Sequence, residues 1–200
     1  MRDRLGRRHR LLIAVDAKTG EQRWTHPIGG EAWVAFAASG DALFVSESGR
    51  SAEDCRIWRV DARTGVESWT QERAWFDDAQ VVGDVLYGIG SSGVSARSIE
   101  HGMPSWSTGT PSGFDAGLVV HDGIVFAAAR RQWVEPPGST ELHHAATLSV
   151  FDAADGALLR QSVVDGVEKL SPPTLVGTKL VVGIGFPNAR IVAYDVAALH

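Results

Sequence analysis

Cysteine, methionine and tyrosine are scarce in this sequence of 200 residues, and the shortage of cysteine excludes several kinds of site. Cys55 is the single cysteine, so the chain can form neither an internal disulfide nor a cysteine-based metal cluster. The thiol lies among acidic and basic residues, and we interpret it as a bystander rather than a nucleophile. A lone cysteine carries no information about the redox compartment.

Long apolar runs are also missing. No stretch approaches the ~20 apolar residues of a membrane span. The apolar run that follows the basic start ends at Asp16, short of the roughly 7–15 residues of a signal-peptide core, and no small-residue cleavage site follows it. We therefore predict no signal peptide in this chain, which is cytoplasmic as written, and a basic disordered N-terminus over residues 1–10.

An excess of positive charge is absent too, since 24 acidic residues are interspersed with 19 basic ones. Nucleic-acid binding needs a basic face, so we predict no nucleic-acid partner. The sequence contains no G-x-S-x-G elbow, no H-E-x-x-H and no P-loop, which leaves hydrolase, metalloprotease and kinase functions without support. With 44% apolar and 22% charged residues, the composition is that of an ordinary folded protein.

What the sequence does contain is an internal repeat. The pattern D-A-K-T-G starts at Asp16 and leads to Trp24, and D-A-R-T-G starts at Asp61 and leads to Trp69 with the same spacing. Weaker copies start at Ser98, leading to Trp106, at Asp152, leading to Arg160, and at Asp195, where the chain ends without the glycine or the tryptophan. The repeated glycines are 45, 37 and 54 residues apart, which brackets the ~40–50 residues of a four-stranded propeller blade.

The residues around each copy predict strands. A large aliphatic residue lies four positions before the first residue of each copy, and a mostly small one lies two positions before it, as on one face of a packed strand. Further upstream, Gly or Asp turns separate pairs of apolar runs, as in β-hairpins. No segment has a sustained helical period. We predict an all-β chain with a half blade at 11–30, full blades at 31–74, 75–109 and 110–166, and a partial blade at 167–200.

The D-x-x-T-G-x-x-x-W pattern resembles the tryptophan-docking motif of β-propellers built from pyrroloquinoline-quinone (PQQ) repeats. The resemblance covers nearly the whole chain, and the copies at Asp16 and Asp61 match in full. That family includes quinoprotein dehydrogenases, an outer-membrane-assembly lipoprotein and sensor domains of bacterial kinases, and its members are usually extracytoplasmic. The resemblance implies a PQQ-like β-propeller of about four blades. We expect an incomplete arc of a larger propeller, although closure into a four-bladed ring is the alternative.

Simple physical roles follow for the motif. An Asp at the turn entry accepts backbone N–H bonds, Thr does so more weakly, and Gly takes the left-handed conformation. The indole then clamps neighbouring blades together. We assign these structural docking roles to the following residues: Asp16, Thr19, Gly20, Trp24, Asp61, Thr64, Gly65, Trp69, Gly102, Trp106, Asp152 and Gly156. Where Arg160 replaces the tryptophan, we expect a looser joint.

Two kinds of ligand site are considered from the sequence. Residues 88–93 match the dinucleotide fingerprint G-x-G-x-x-G, but a strand rather than a helix is predicted to follow, so we interpret the glycines as small residues near a crowded centre. A second kind of site is implied by the resemblance, since quinoproteins bind PQQ and calcium. Calcium would need converging carboxylates. Such enzymes often also have a pair of adjacent cysteines, and this chain lacks that pair. The available acids, interpreted as solvated turn carboxylates, are Asp77, Asp78, Asp115 and Asp122.

The loops between the second and third strands of each blade are the candidate interaction surface, because propeller loops of this rim carry function. An insertion at 132–144 and a second long loop at 47–56 are predicted to lie there. The candidate partner-binding residues of this rim are Arg50, Glu53, Trp133, Glu141, His143 and His144. Adjacent histidines on a strand would point to opposite faces, which argues against a metal site.

The first functional hypothesis is therefore a non-catalytic scaffold or sensor module that binds protein through its rim loops, without a cofactor. The alternative is a fragment or remnant of a PQQ- and calcium-dependent quinoprotein oxidoreductase. An open arc also exposes strand edges, so we expect the isolated chain to self-associate. A stable monodisperse monomer in size-exclusion chromatography with light scattering would count against the arc.

Overall fold

Apolar and polar residues alternate along this chain, and it folds accordingly into short antiparallel strands. A computed structural model describes residues 10–29, 33–90, 93–109, 114–134, 142–185 and 189–198. Over these ranges there are eighteen strands and two short 3₁₀ turns but no α-helix, so no helix there is long and apolar enough to cross a membrane. Residues 1–9 of the predicted disordered N-terminus lie outside the described ranges, and Arg10 already belongs to the first strand.

The strands form five successive sheets. The first sheet has two strands, β1 (Arg10–Val15) and β2 (Gln22–Ile28). Blade 1 contains β3 (Trp33–Ser39), β4 (Ala42–Ser48), β5 (Arg56–Asp61) and β6 (Glu67–Glu72). Blade 2 contains β7 (Phe76–Val82), β8 (Val85–Gly90), β9 (Gly93–Ser98) and β10 (Pro104–Ser107). Blade 3 contains β11 (Phe114–His121), β12 (Ile124–Val134), β13 (Leu142–Asp152) and β14 (Leu158–Asp165).

The last sheet contains β15 (Lys169–Leu170), β16 (Thr174–Val176), β17 (Lys179–Gly185) and β18 (Arg190–Asp195). Blades 1 to 3 are antiparallel meanders in chain order, whereas β15 and β16 both pair with the same edge of β17. They correspond to a single first strand that is interrupted between them by Pro172 and Pro173. Proline has no N–H to donate, which explains why the ladder stops there.

The core is divided into four apolar layers, one between each pair of successive sheets. Trp58 and Val60 of blade 1 meet β1 and β2 on one side, while Phe44 and Ile57 meet blade 2 on the other. Equivalent layers join blade 2 to blade 3 and blade 3 to the last sheet. The first strands β3, β7 and β11 also contact one another, so they lie nearest the common centre.

The predicted all-β propeller architecture is confirmed, and over the described residues the array is open rather than closed into a ring. Among the described strands, β1 pairs only with β2, and β18 pairs only with β17.

Candidate interaction surface

Each blade presents two different faces. On one face lie the hairpins between the first and second strands and the turns between the third and fourth. These two kinds of turn are tied together in blades 1 to 3, where Ala62 N donates to Asp41 O, Ile99 N to Asp84 O and Ala153 N to Gly123 O at 2.7–3.1 Å. We call this face the turn face. The opposite face, which we call the rim, carries the loops between the second and third strands.

The repeated motif builds the same turn in four copies. The glycine N–H donates to the carbonyl oxygen of the first motif residue at 2.8–3.0 Å, and each of these glycines has φ between 70° and 76°. In the first two copies Oδ1 of the Asp also accepts two backbone N–H bonds, and Ser98 Oγ does so in the third. A hydrogen bond from Arg23 and the bonds from Lys18 and Thr19 N–H lower the pKa of Asp16 to about 2.

The three motif tryptophans each reach the turn of the following sheet. Trp24 Nε1 donates to Ala62 O at 2.9 Å, Trp69 Nε1 donates to Ile99 O at 3.1 Å, and Trp106 Nε1 donates to Ala153 O at 3.1 Å. Each acceptor directly follows the first residue of the next motif copy. The indole rings lie over the glycines of those same copies: Gly65, Gly102 and Gly156.

The sequence did not show that the turn glycine has two tasks. It supplies the positive φ, and it also leaves space for the tryptophan of the preceding sheet. A Cβ placed on Gly65 would lie 2.7 Å from Trp24 Cγ, and one on Gly156 would lie 2.5 Å from Trp106 Cε3. Gly20 has the same φ but nothing within 4 Å of its hypothetical Cβ. The signal available in the sequence was that the three later glycines each follow an earlier motif tryptophan.

The joint between blade 3 and the last sheet differs from the others. Arg160 is exposed on β14 in the position of the tryptophan and lines a cleft of about 290 Å³ together with Phe126, Tyr194 and Asp195. A looser joint at this position stays a prediction.

Two polar side chains of β7 cross from blade 2 to blade 3 near the centre. Asp78 Oδ2 accepts the N–H of Leu118 at 3.0 Å, and Gln80 Oε1 accepts the N–H of Val120 at 2.8 Å. Burial raises the pKa of Asp78, against the opposing effect of its N–H donors. The interpretation of Asp78 as a solvated turn carboxylate was therefore wrong, because it lies within a strand and is half-buried.

We predict that Asp78→Ala destabilises the fold by about 1–3 kcal/mol, because the N–H of Leu118 loses its acceptor inside the protein. The raised pKa sets the sign of the pH dependence. Protonated Asp78 stabilises the wild-type fold, and this stabilisation is lost as the pH rises from 3.8, the pKa of the carboxyl in the unfolded chain, through its higher pKa in the folded protein. The penalty of Asp78→Ala is therefore smaller near neutral pH than near pH 3.8. Urea unfolding of both proteins at the two pH values measures this. Gln80→Ala is the control, and its penalty should not follow the same titration.

The three glycines of the segment at 88–93 lie in strands rather than before a helix. Gly88 lies within β8, Gly90 ends it, and Gly93, which pairs with Gly90, begins β9. A Cβ on Gly90 would lie 2.2 Å from Trp75 O, where the pairing of β7 with β8 is irregular at Phe76. These glycines therefore allow close backbone approach, and the described residues on both sides are strand.

The acids considered for calcium do not come together in the described part of the chain. Asp78 lies near the beginning of β7 with its oxygens accepting N–H bonds from Ala79 and Leu118, whereas Asp122 lies at a hairpin on the turn face beside His121. Asp77 is exposed on β7, and the side chain of Asp115 lies outside the described residues. No group of three His, Cys, Asp or Glu side chains among the described residues could hold a metal ion. The described residues therefore provide no converging set of carboxylates of the kind that a calcium–PQQ centre needs.

The first rim loop is shorter than predicted. Glu47 and Arg56 belong to paired strands and form a salt bridge at 2.9 Å, so the loop spans only residues 49–55. Arg50 and Glu53 are exposed on it. Cys55 is buried at its end, where its Sγ donates to Ser51 O and accepts the N–H of Gly49.

The second rim segment is a two-stranded arm rather than the loop predicted over residues 132–144. Gln132 pairs with His144, Trp133 with His143 and Val134 with Leu142. The last described pair with β11 is Arg130 with Phe114, and the last described pair with β14 is Ala145 with Asp165. We call residues 132–134 and 142–144 the arm. It extends beyond the described parts of both neighbouring strands of its own blade.

Of the predicted rim residues, His143 and His144 have described side chains on this arm. His143 and His144 are half-buried, and Arg130 Nη1 lies 3.3 Å from His144 Nδ1 at its base. Leu142 is 46% exposed. The side chain of Trp133 and the whole of Glu141 lie outside the described residues.

Comparison with known proteins agrees with this arrangement of blades. Residues 5–92 match the family model described as outer membrane protein assembly factor BamB. This match and the solved structures described next are consistent with PQQ-type repeats. No curated protein matches the sequence.

Three solved structures show the same fold. The computationally designed Ika4 protein is 15% identical with a TM-score of 0.61, over 84% of this chain and 94% of its own. BamB from Moraxella catarrhalis is 17% identical with a TM-score of 0.51, and the match covers 92% of this chain and 70% of BamB. A quinohemoprotein alcohol dehydrogenase from Pseudomonas putida HK5 is 13% identical with a TM-score of 0.59, and the match covers 92% of this chain but only 37% of the dehydrogenase. At such identities the likeness concerns the fold alone.

Proposed function

We propose that this PQQ-repeat chain is a non-catalytic scaffold that binds a protein partner through the arm and the neighbouring rim loop. The observation that carries the proposal is the arm itself, a ribbon of two paired strands that continues past the described parts of both flanking strands. A strand that leaves its sheet in this way presents backbone N–H and C=O groups along its edges, which an extended segment of another protein can pair with.

Several contacts support a structured arm. Gly166 N donates to His144 O at 2.8 Å and, with the contact between Arg130 and His144, fixes its base. Beyond that base, Leu142 offers an exposed aliphatic side chain. The description of the matched family as an assembly factor is also in keeping with a protein partner.

A site-specific photocrosslinker tests the surface in cells. We expect Leu142 carrying the crosslinker to give one discrete adduct with another protein. The matched control is Val66, an aliphatic residue that is 63% exposed and lies in a turn on the opposite face. Equal yields of adduct from both positions would contradict the proposal that the partner binds at the rim.

Deletion of the arm provides the quantitative test. Because Arg131 and Ala145 are paired, residues 132–144 can be replaced by Asn-Gly, which closes a two-residue hairpin without disturbing the rest of the blade. We expect the affinity for the crosslinked partner to fall at least about tenfold, a change of about 1.4 kcal/mol, while the free energy of unfolding stays nearly unchanged. A shortened chain that binds its partner normally would overturn the proposal.

The quinoprotein alternative predicts a different result. Titration with PQQ and calcium would then show saturable absorbance changes and alcohol- or sugar-dependent dye reduction. We expect no saturable binding, because the described acids do not converge.

A further inference from the structure

A cavity of about 300 Å³ lies between the facing sides of blades 2 and 3, toward the rim from Trp106. It exists because the outer strand of blade 2 is short. Strand β10 has four residues, whereas the corresponding strand β14 of blade 3 has eight. Blade 2 therefore covers only part of the blade 3 face opposite it, and Val163 remains 59% exposed farther along that face.

Short side chains keep this space open. Strand β12 contributes Ala127 and Ala129 to it, and β13 contributes Thr147 and Ser149. These residues alternate along their strands, so they belong to the side that faces blade 2. A protein interior is normally filled to high density, and none of these four side chains is long enough to reach across the gap.

The lining combines an apolar wall with unused polar groups. Ile89, Val94 and Phe151 form the apolar part. On the polar side, Gln161 Nε2 donates to Ser149 Oγ at 3.1 Å, which leaves the Gln161 carbonyl oxygen without a partner among the described residues. The hydroxyl group of Thr147 likewise has no side-chain partner in the described part of the chain.

A cation completes the lining at the rim end. Arg131 lies two residues beyond Ala129 on the same side of β12, and its side chain is exposed at the cavity. Over the described ranges no carboxylate pairs with its guanidinium group. An arginine beside an apolar cavity binds an anionic oxygen group well, because its planar fork donates two parallel hydrogen bonds to a carboxylate.

We propose that this cavity binds a compact amphipathic carboxylate, with a flat apolar body between the blades and its carboxylate on Arg131. The volume is at the lower end of the roughly 300–1,000 Å³ typical of ligand pockets, which favours a small, one- or two-ring molecule. Thr147 and Gln161 then orient a polar substituent. The site lies between blades 2 and 3 rather than at the propeller centre, and the proposal does not depend on the arm binding a protein.

Isothermal titration of the full chain with 2-naphthoate tests this site, with the uncharged 2-naphthalenemethanol as its matched probe. We expect one saturable site for the carboxylate and at least about tenfold weaker binding of the alcohol. Arg131→Gln should weaken naphthoate binding by a similar factor. Arg190→Gln, at an exposed arginine of the last sheet, should leave it unchanged.

Filling the cavity distinguishes it from other apolar surfaces. Thr147→Phe should abolish naphthoate binding, and Ala129→Leu serves the same purpose if the larger substitution prevents folding. Thermal unfolding of each variant without ligand verifies that it is folded. Absence of saturable naphthoate binding, equal affinity of the alcohol, or wild-type affinity in a folded cavity-filling variant would each overturn the proposal.

Discussion

Trp69→Ala should lower the free energy of unfolding by about 3–5 kcal/mol, the range of large-to-small substitutions of buried aromatic residues. The indole fills the layer between blades 1 and 2, where its ring centroid lies 6.0 Å from that of Phe44 and its Nε1 donates to Ile99 O. Truncation therefore leaves a cavity and removes one of the hydrogen bonds that join the two blades. Chemical denaturation followed by circular dichroism measures the loss.

Trp33→Ala is the matched control for this experiment. Trp33 is 82% exposed on β3, so its removal exposes little new surface and should change the free energy of unfolding by no more than about 0.5 kcal/mol. If the two substitutions have equal effects, the docked tryptophans do not hold the blades together, and the structural account of the repeat is wrong.

Gly102→Ala should cost more than Gly20→Ala, although both glycines occupy the same motif position. Gly102 has φ of 70° and Gly20 has φ of 73°, so both substitutions place an alanine in the left-handed region at about 1–2 kcal/mol. At Gly102 the new Cβ would also lie 2.7 Å from Trp69 Cε3, which forces the indole out of its place. We expect a total of about 3–5 kcal/mol at Gly102, because displacement of the indole approaches its removal.

A double-mutant cycle separates the two causes. In the Trp69→Ala background the clash disappears, so Gly102→Ala should cost only about as much as Gly20→Ala does in the wild type. An additive result, in which the penalty at Gly102 is the same with and without the indole, would show that backbone conformation alone accounts for the glycine.

Local patterns were enough to predict the blades. The alternation of apolar residues and the hairpin turns determine strands within about ten residues of sequence, and the motif turn forms from hydrogen bonds among neighbours such as Asp61, Thr64 and Gly65. The aspartate, threonine and glycine roles could therefore be proposed without coordinates. The prediction that a strand rather than a helix follows residues 88–93 could likewise be made without coordinates.

The candidate site was less predictable. The insertion at 132–144 could be located from the repeat spacing, but its paired ends could not, because the Pro-Pro-Gly turn signal at 136–138 does not specify which flanking residues pair across the two strands. Asp78 was misread for a related reason. A carboxylate after a predicted loop is normally solvated, and only its neighbour Leu118, from another blade, shows that it is half-buried.

By itself, then, the sequence determined the all-β class, the blade repeat and the chemistry of each turn, since these depend on contacts between residues close in the chain. The tertiary structure alone decided which turn each indole meets, which carboxylate is buried, how far the arm extends and where a cavity remains. Those features join residues such as Trp106 and Ala153, far apart in sequence, and they depend on how whole sheets stack. No local pattern specifies that stacking, because each side chain acquires its partner only when the next blade is in place.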